Sequence, residues 1–81
     1  MKQTYTLFTY DLWADVEGGL SVNDVYRQGE ITVNAKDGWP SDYQLNRAVG
    51  ARGLTWDGDP EYTLYATDHK GNPACELRRE S

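Results

Sequence analysis

The chain has 81 residues, of which 38% are apolar, 12% aromatic and 26% charged, and its formal net charge is −5. That length leaves room for one small core, so residues 1–81 are read as a single domain, too rich in aromatics to be a disordered segment. One cysteine and one histidine exclude an intramolecular disulfide and a cysteine-based zinc site, and the acidic balance argues against direct binding to a phosphate backbone.

Residues 2–13, KQTYTLFTYDLW, are rich in Thr, Tyr, Phe and Leu and predict a strand. Tyr5 and Leu7 fall on one face, Phe8, Tyr10 and Leu12 on the other. Two apolar faces indicate a central strand, or a strand with one face covered by a partner. Gly18-Gly19 signals a turn. Beyond it, Val22 and Val25 bracket Asn23-Asp24, so strict alternation fails and a bulge or short turn is expected there. Alternation returns at residues 30–34, with Ile31 and Val33 on one face, and Lys36-Asp37-Gly38 ends that second strand.

A helix is expected after Trp39-Pro40. Ser41 suits the N-cap and Asp42 the positive helix start, while Leu45, Ala48 and Val49 share one face. Gly50 or Gly53 can close it with a left-handed cap. Leu54-Thr55-Trp56 reads as a short edge strand or a loop, stopped by Asp57-Gly58-Asp59-Pro60. Residues 61–67, EYTLYAT, alternate as a strand, and Asp68-His69-Lys70-Gly71-Asn72 marks a five-residue connection. Residues 74–79 then form a last strand with Cys75 and Leu77 inward. The fold class expected is α+β: a small antiparallel sheet of about four strands, in the order β-β-α-β-β, with one short helix on one face.

Charge is segregated along the chain. Residues 11–26 and 54–69 hold eight of the thirteen acids and no Lys or Arg. Positive charge is displaced into residues 27–53 and to Arg78-Arg79. Each acidic stretch carries a tryptophan beside a turn, Trp13 in one and Trp56 in the other, and Trp beside polar turn residues is typical of interface anchors. A solvated surface that keeps a small protein soluble is the plain reading. The sharper one is a contact surface for a protein with a basic groove, made by Asp11, Trp13, Asp15, Glu17, Asp24, Trp56, Asp57, Asp59 and Glu61. Acid placed in this way can imitate nucleic acid, provided that both stretches meet at one end of the sheet.

No chemistry-bearing motif competes with that reading. Asp57-Gly58-Asp59-Pro60-Glu61 lacks the twelve-residue calcium-loop pattern, so no metal is expected. His69 falls in a loop, Cys75 on an alternating strand, and Gly18-Gly19 lacks the Lys and helix of a phosphate loop. No catalytic residue and no cofactor are expected. There is no apolar leader behind Met1-Lys2-Gln3 and no long apolar run, which predicts a cytoplasmic setting and no membrane partner.

Tyr10-Asp11-Leu12-Trp13, Glu17-Gly18-Gly19 and Val22-Asn23-Asp24-Val25 resemble the opening of a group of short proteins of phages, prophages and conjugative elements of Gram-positive and gut bacteria. Asp57-Gly58-Asp59-Pro60-Glu61-Tyr62-Thr63-Leu64-Tyr65 and Gly71-Asn72-Pro73-Ala74-Cys75-Glu76-Leu77-Arg78 are similar too. The resemblance spans most of the chain and carries over no functional residue. It implies a mobile-element origin and a bacterial host cell. Small acidic proteins of that origin are often inhibitors of host enzymes, so a non-enzymatic accessory protein that inhibits a host factor such as a defence nuclease is expected. The alternative is a small-ligand or nucleotide-sequestering module. A homodimer is also open, because the doubly apolar first strand can be completed by another copy.

Overall fold

The computed structural model describes residues 2–14 and 18–80. Its elements are β1 (Lys2–Ala14), β2 (Leu20–Asn34), α1 (Asp42–Val49), β3 (Thr55–Gly58), β4 (Thr63–Thr67) and β5 (Pro73–Arg79). The strands form one sheet of order β2-β1-β5-β4-β3 in which every pair is antiparallel. The class is therefore α+β, but with five strands rather than about four. The extra strand is β3, whose four residues pair with β4 from Thr55 opposite Thr67 to Gly58 opposite Leu64. The second strand is also much longer than residues 30–34: it reaches back to Leu20 by absorbing two irregularities. Register jumps opposite Leu7/Phe8 and Asp11/Leu12, and in both places the extra residue, Gln28 and then Asn23, belongs to β2. The broken alternation at Asn23-Asp24 is thus a bulge, which shifts the face of the side chains without ending the strand.

Side-chain alternation divides the sheet into two faces. Tyr5 and Leu7 of β1, Leu77 and Cys75 of β5, and Leu64 and Ala66 of β4 share one face by register. That face carries the core, where Val33, Leu45 and Trp56 join them. Leu45 is the buried residue of α1, and the helix touches both edge strands, β2 and β3. Eight residues cannot hold a helix alone, so its ends are fastened locally. Ser41 Oγ accepts from the Gln44 amide (3.2 Å), the Ser41 amide donates to Gln44 Oε1 (2.9 Å), and Gly50 closes the last turn in the left-handed conformation. Trp56 is held in the core through its indole, which donates to Asn46 Oδ1 of α1 at 2.9 Å.

Tyr5, fully buried, ties the strand ends to two turns. Its hydroxyl lies 2.7 Å from both the Pro60 carbonyl and Gln3 Oε1, and Gln3 Nε2 donates to the Gly38 carbonyl at 3.3 Å. Arg79 Nη1 donates to the same Pro60 carbonyl at 3.4 Å. Burial raises the Tyr5 pKa above its ordinary value, against the opposing pull of the Arg79 charge.

Cys75 faces inward as its strand pattern requires, and burial, followed by the charge of Glu76, pushes its thiol up to about 11. A thiol so placed holds its proton near neutrality and is a poor nucleophile. Iodoacetamide near neutral pH is expected to leave the native protein unmodified and to alkylate the urea-unfolded chain fully, read by mass spectrometry. The folded form keeps this proton to higher pH than the unfolded chain, whose thiol ionises near 9.0. The associated stability is complete below that pH and is lost as pH rises towards about 11.

Candidate functional site

β5 pairs with β1 only from Tyr5 opposite Arg79 to Thr9 opposite Cys75. Residues 11–14 of β1 continue beyond it, paired to β2 alone, from Asp11 opposite Asp24 to Ala14 opposite Leu20. The result is a two-stranded arm, and it accounts for a long axis of 43 Å against 22 and 20 Å across. Two-stranded ribbons are marginal in water without a packed face, yet Trp13, Leu20 and Val22 stand exposed along this one.

The sheet face away from α1 continues onto the arm. By register it carries Phe8, Tyr10 and Leu12 of β1, Val22 and Val25 of β2, Tyr65 of β4, and Glu76 and Arg78 of β5. Among the described residues no element covers this open face. Between Tyr10, Val22, Val25, Tyr65 and Pro73 lies a shallow, almost wholly apolar groove of about 420 Å³ with Glu76 at its edge. Glu76 is buried, and its charge is answered on both sides: the Tyr10 hydroxyl donates to Oε1 at 3.1 Å and Arg78 Nε donates to Oε2 at 2.6 Å. The Arg78 guanidinium lies 4.2 Å from the centre of the Phe8 ring, a cation–π contact. Burial and the Glu76 charge hold the Tyr10 phenol neutral, far above its ordinary pKa. The open face is thus a fixed aromatic surface with one internally neutralised ion pair and no unanswered charge at its centre.

The two acidic stretches do not meet. Asp11 and Asp24 sit opposite each other on the arm, where Asp11 Oδ2 accepts from Asn23 Nδ2 at 3.1 Å. Trp13, 59% exposed, follows on the same face of β1 as Asp11. Asp57, Asp59 and Glu61 lie in and around the β3–β4 turn. That turn belongs to the opposite end of the sheet, since Pro60 reaches Tyr5 and the Arg79 amide bonds the Tyr62 carbonyl. It also lies on the opposite edge, β3 being the last strand and β2 the first. Of the second stretch only Asp68 is at the arm end, in the connection that leads to Pro73. Asp15 and Glu17 lie outside the described residues.

These positions correct the expected contact surface in two respects. Trp56 is a core residue, not an exposed anchor, because alternation on β3 turns it inward against Ala66 and Asn46. Several acids also have local work in turns: Asp57 Oδ1 accepts from the Gly58 amide (2.8 Å), Asp59 Oδ1 from the Glu61 amide (2.9 Å), and Asp68 Oδ1 from the Lys70 and Asn72 amides (both 2.9 Å). The Asn72 amide is the main cause of the lowered Asp68 pKa. What the expectation omitted is the open face itself, whose signal was the second apolar row of β1, Phe8, Tyr10 and Leu12.

Other concavities offer less. The groove beside Gln3, Tyr62 and Thr63 contains Arg78 and Arg79, but the first is bound to Glu76 and the second to the Pro60 carbonyl. Among the described residues no group of three His, Cys, Asp or Glu is placed to hold a metal, and no helix is long and apolar enough to cross a membrane. Comparison of the chain with protein-family models, with curated proteins and with solved structures finds no match. The class that fold and site define is thus a small α+β protein with an uncovered aromatic sheet face and a projecting two-stranded arm.

Proposed function

We propose that this protein is a binding module without catalytic chemistry, which engages a partner protein through the open face and the arm. The observation that carries the reading is the uncovered run of Tyr10, Leu12, Val22, Val25 and Tyr65, the last 51% exposed. Contiguous apolar surface of this kind on a small domain marks an interaction site. Rigid tyrosines on this face, and Trp13 exposed on the other face of the arm, are residue types that dominate binding energy. Asp11 and Asp24, paired on the other face of the arm, favour a partner with a basic surface, approached under electrostatic steering. A mobile-element accessory protein that inhibits a host factor, such as a defence nuclease, agrees with this surface and with the resemblance of the sequence. Mimicry of nucleic acid by one continuous acidic patch is not part of the proposal, because the topology parts the two stretches. Sequestration of a nucleotide is less favoured, since the groove offers no free cation to a phosphate.

Benzoylphenylalanine in place of Tyr65 tests the proposal by photo-cross-linking in a bacterial extract, with the same probe in place of Tyr43 on α1 as control. A discrete protein adduct at position 65 and none at 43 is the expected result. Absence of any protein adduct, together with a rise in Tm on adding nucleotides, would transfer the site to the small-ligand reading.

A further inference from the structure

Among the described residues, the arm leaves one stretch of regular strand edge without a neighbour. Along β1, backbone groups alternate between β2 and β5. The Glu80 amide donates to the Thr4 carbonyl at 2.9 Å, which places the even-numbered residues of β1 on the β5 side. Thr6 and Phe8 bond β5 there, opposite Arg78 and Glu76. Tyr10 closes that ladder against Ala74, since Thr9 opposite Cys75 is a pair flanked by the bonds on either side of it; beyond it Leu12 and Ala14 direct their amides and carbonyls to the same side.

This edge differs from the two outer edges of the sheet. The outer strand β2 carries both bulges, and charged Arg27 and Glu30 stand beside one of them. Bulges and charges are the features that keep edge strands from pairing with other chains. At the far side β3 is four residues long. Residues 12–14 of β1 carry no register shift, no proline and no charge.

An added strand here would run along the arm beyond the start of β5 at Pro73, over roughly 10 Å at about 3.4 Å per residue. Its side chains would alternate between two unlike surroundings. On the open face they would meet Tyr10, Leu12 and the groove beside Tyr65 and Pro73. On the other they would meet Asp11 and Trp13, with Asp24 across the ladder from Asp11. Apolar groups suit the first surface; cations suit the second, through the carboxylates and the face of the indole.

We infer that the β1 edge over residues 12–14 is a strand-addition site for an extended segment of the partner protein in which apolar side chains alternate with Lys or Arg. The inference rests on the proposed function and names the chemistry of the partner at that surface. Main-chain bonds to Leu12 and Ala14 supply the pairing, and the alternation of charge selects the segment.

The test uses the full chain and three seven-residue peptides: one alternating Val and Lys, one alternating Val and Glu, and one with the Val and Lys residues in two blocks. Amide exchange by NMR is expected to slow at least tenfold at Leu12 and Ala14 with the alternating Val/Lys peptide and to stay unchanged with the other two. Leu12→Pro removes an amide that faces only the free edge, and it is expected to abolish the binding. Asp11→Lys, which leaves every backbone group in place, is expected to reverse the preference towards the Val/Glu peptide. Failure of all three peptides to slow these amides would overturn strand addition, and so would protection in the free protein that rises with concentration and with a doubled mass, which would assign the edge to a second copy. A peptide that shifts Tyr65 without protecting Leu12 or Ala14 would also overturn it. Each of these results leaves the Tyr65 cross-link to decide separately whether the protein is a binding module.

Discussion

Leu77→Ala is expected to remove about 3–4 kcal/mol of stability, measured by urea or thermal denaturation. Leu77 is wholly inaccessible and lies in β5 between Leu7 of β1 and Leu64 of β4. Neighbours on both flanks are held by ladders, so the cavity left by truncation has little means of closing. A chain of this size has a total stability on the order of 4–12 kcal/mol, and each kcal/mol lost lowers Tm by roughly 4–8 °C. The fall in Tm should therefore be about 15 °C or more, enough to populate unfolded chain in warm buffer. Leu77→Met keeps the volume and is expected to cost less than about 1.5 kcal/mol. Tyr65→Ala on the open face, where the side chain is half exposed, is expected to cost about 0.5 kcal/mol or less. Equal losses at Leu77 and Tyr65 would mean that the open face is part of the core, and the binding proposal would lose its ground.

Most local structure was legible in the sequence because it depends on neighbours in the chain. The Ser41 cap, a glycine stop at Gly50 or Gly53, the 68–72 connection and the inward Cys75 and Leu77 all follow from spacing alone. What could not be read depends on pairing between distant residues. β3 is a strand because β4 lies beside it, not because Thr55-Trp56-Asp57-Gly58 has a strong preference of its own. β2 looks broken at Asn23-Asp24, since a bulge reverses the alternation, and only the facing strand shows that pairing resumes beyond it. The same limit explains the site. Charge segregated along the chain suggested one anionic surface, but Asp11 and Asp57 are separated by the direction of β3 and by the width of the sheet. Trp56 sits among polar turn residues in sequence, which made it look exposed, whereas its strand parity turns it inward. The second apolar row of β1 was visible and carried two meanings, a central strand or a strand with one face covered by a partner. β1 is central, between β2 and β5, and α1 lies on the other face, so cover of the second row by a partner is the reading proposed for it.

Gly58→Ala is expected to be nearly as damaging as the loss of Leu77, for a backbone reason. Gly58 has φ +109, and a Cβ added there would lie 2.3 Å from the Thr63 carbonyl oxygen. That oxygen belongs to the main chain and accepts from the Asp59 amide at 3.1 Å, so it cannot move aside without opening the β3–β4 turn. The strain of the positive φ is of order 1–3 kcal/mol, and the displaced turn adds to it, because Pro60 within it accepts from buried Tyr5. A fall in Tm of about 10–15 °C is expected. Gly71→Ala separates the two causes: its φ is +80, but nothing lies within 4 Å of the added atom. Strain alone should cost that variant about 1 kcal/mol. The β3–β4 turn also holds Asp57, Asp59 and Glu61, so the same variant probes function. Below its Tm, Gly58→Ala should retain the Tyr65 cross-link and the protection of Leu12 and Ala14, since arm and turn lie at opposite ends of the sheet. Loss of binding while the fold remains intact would instead return the contact to the acidic turn, leaving the arm as a stretch of surface.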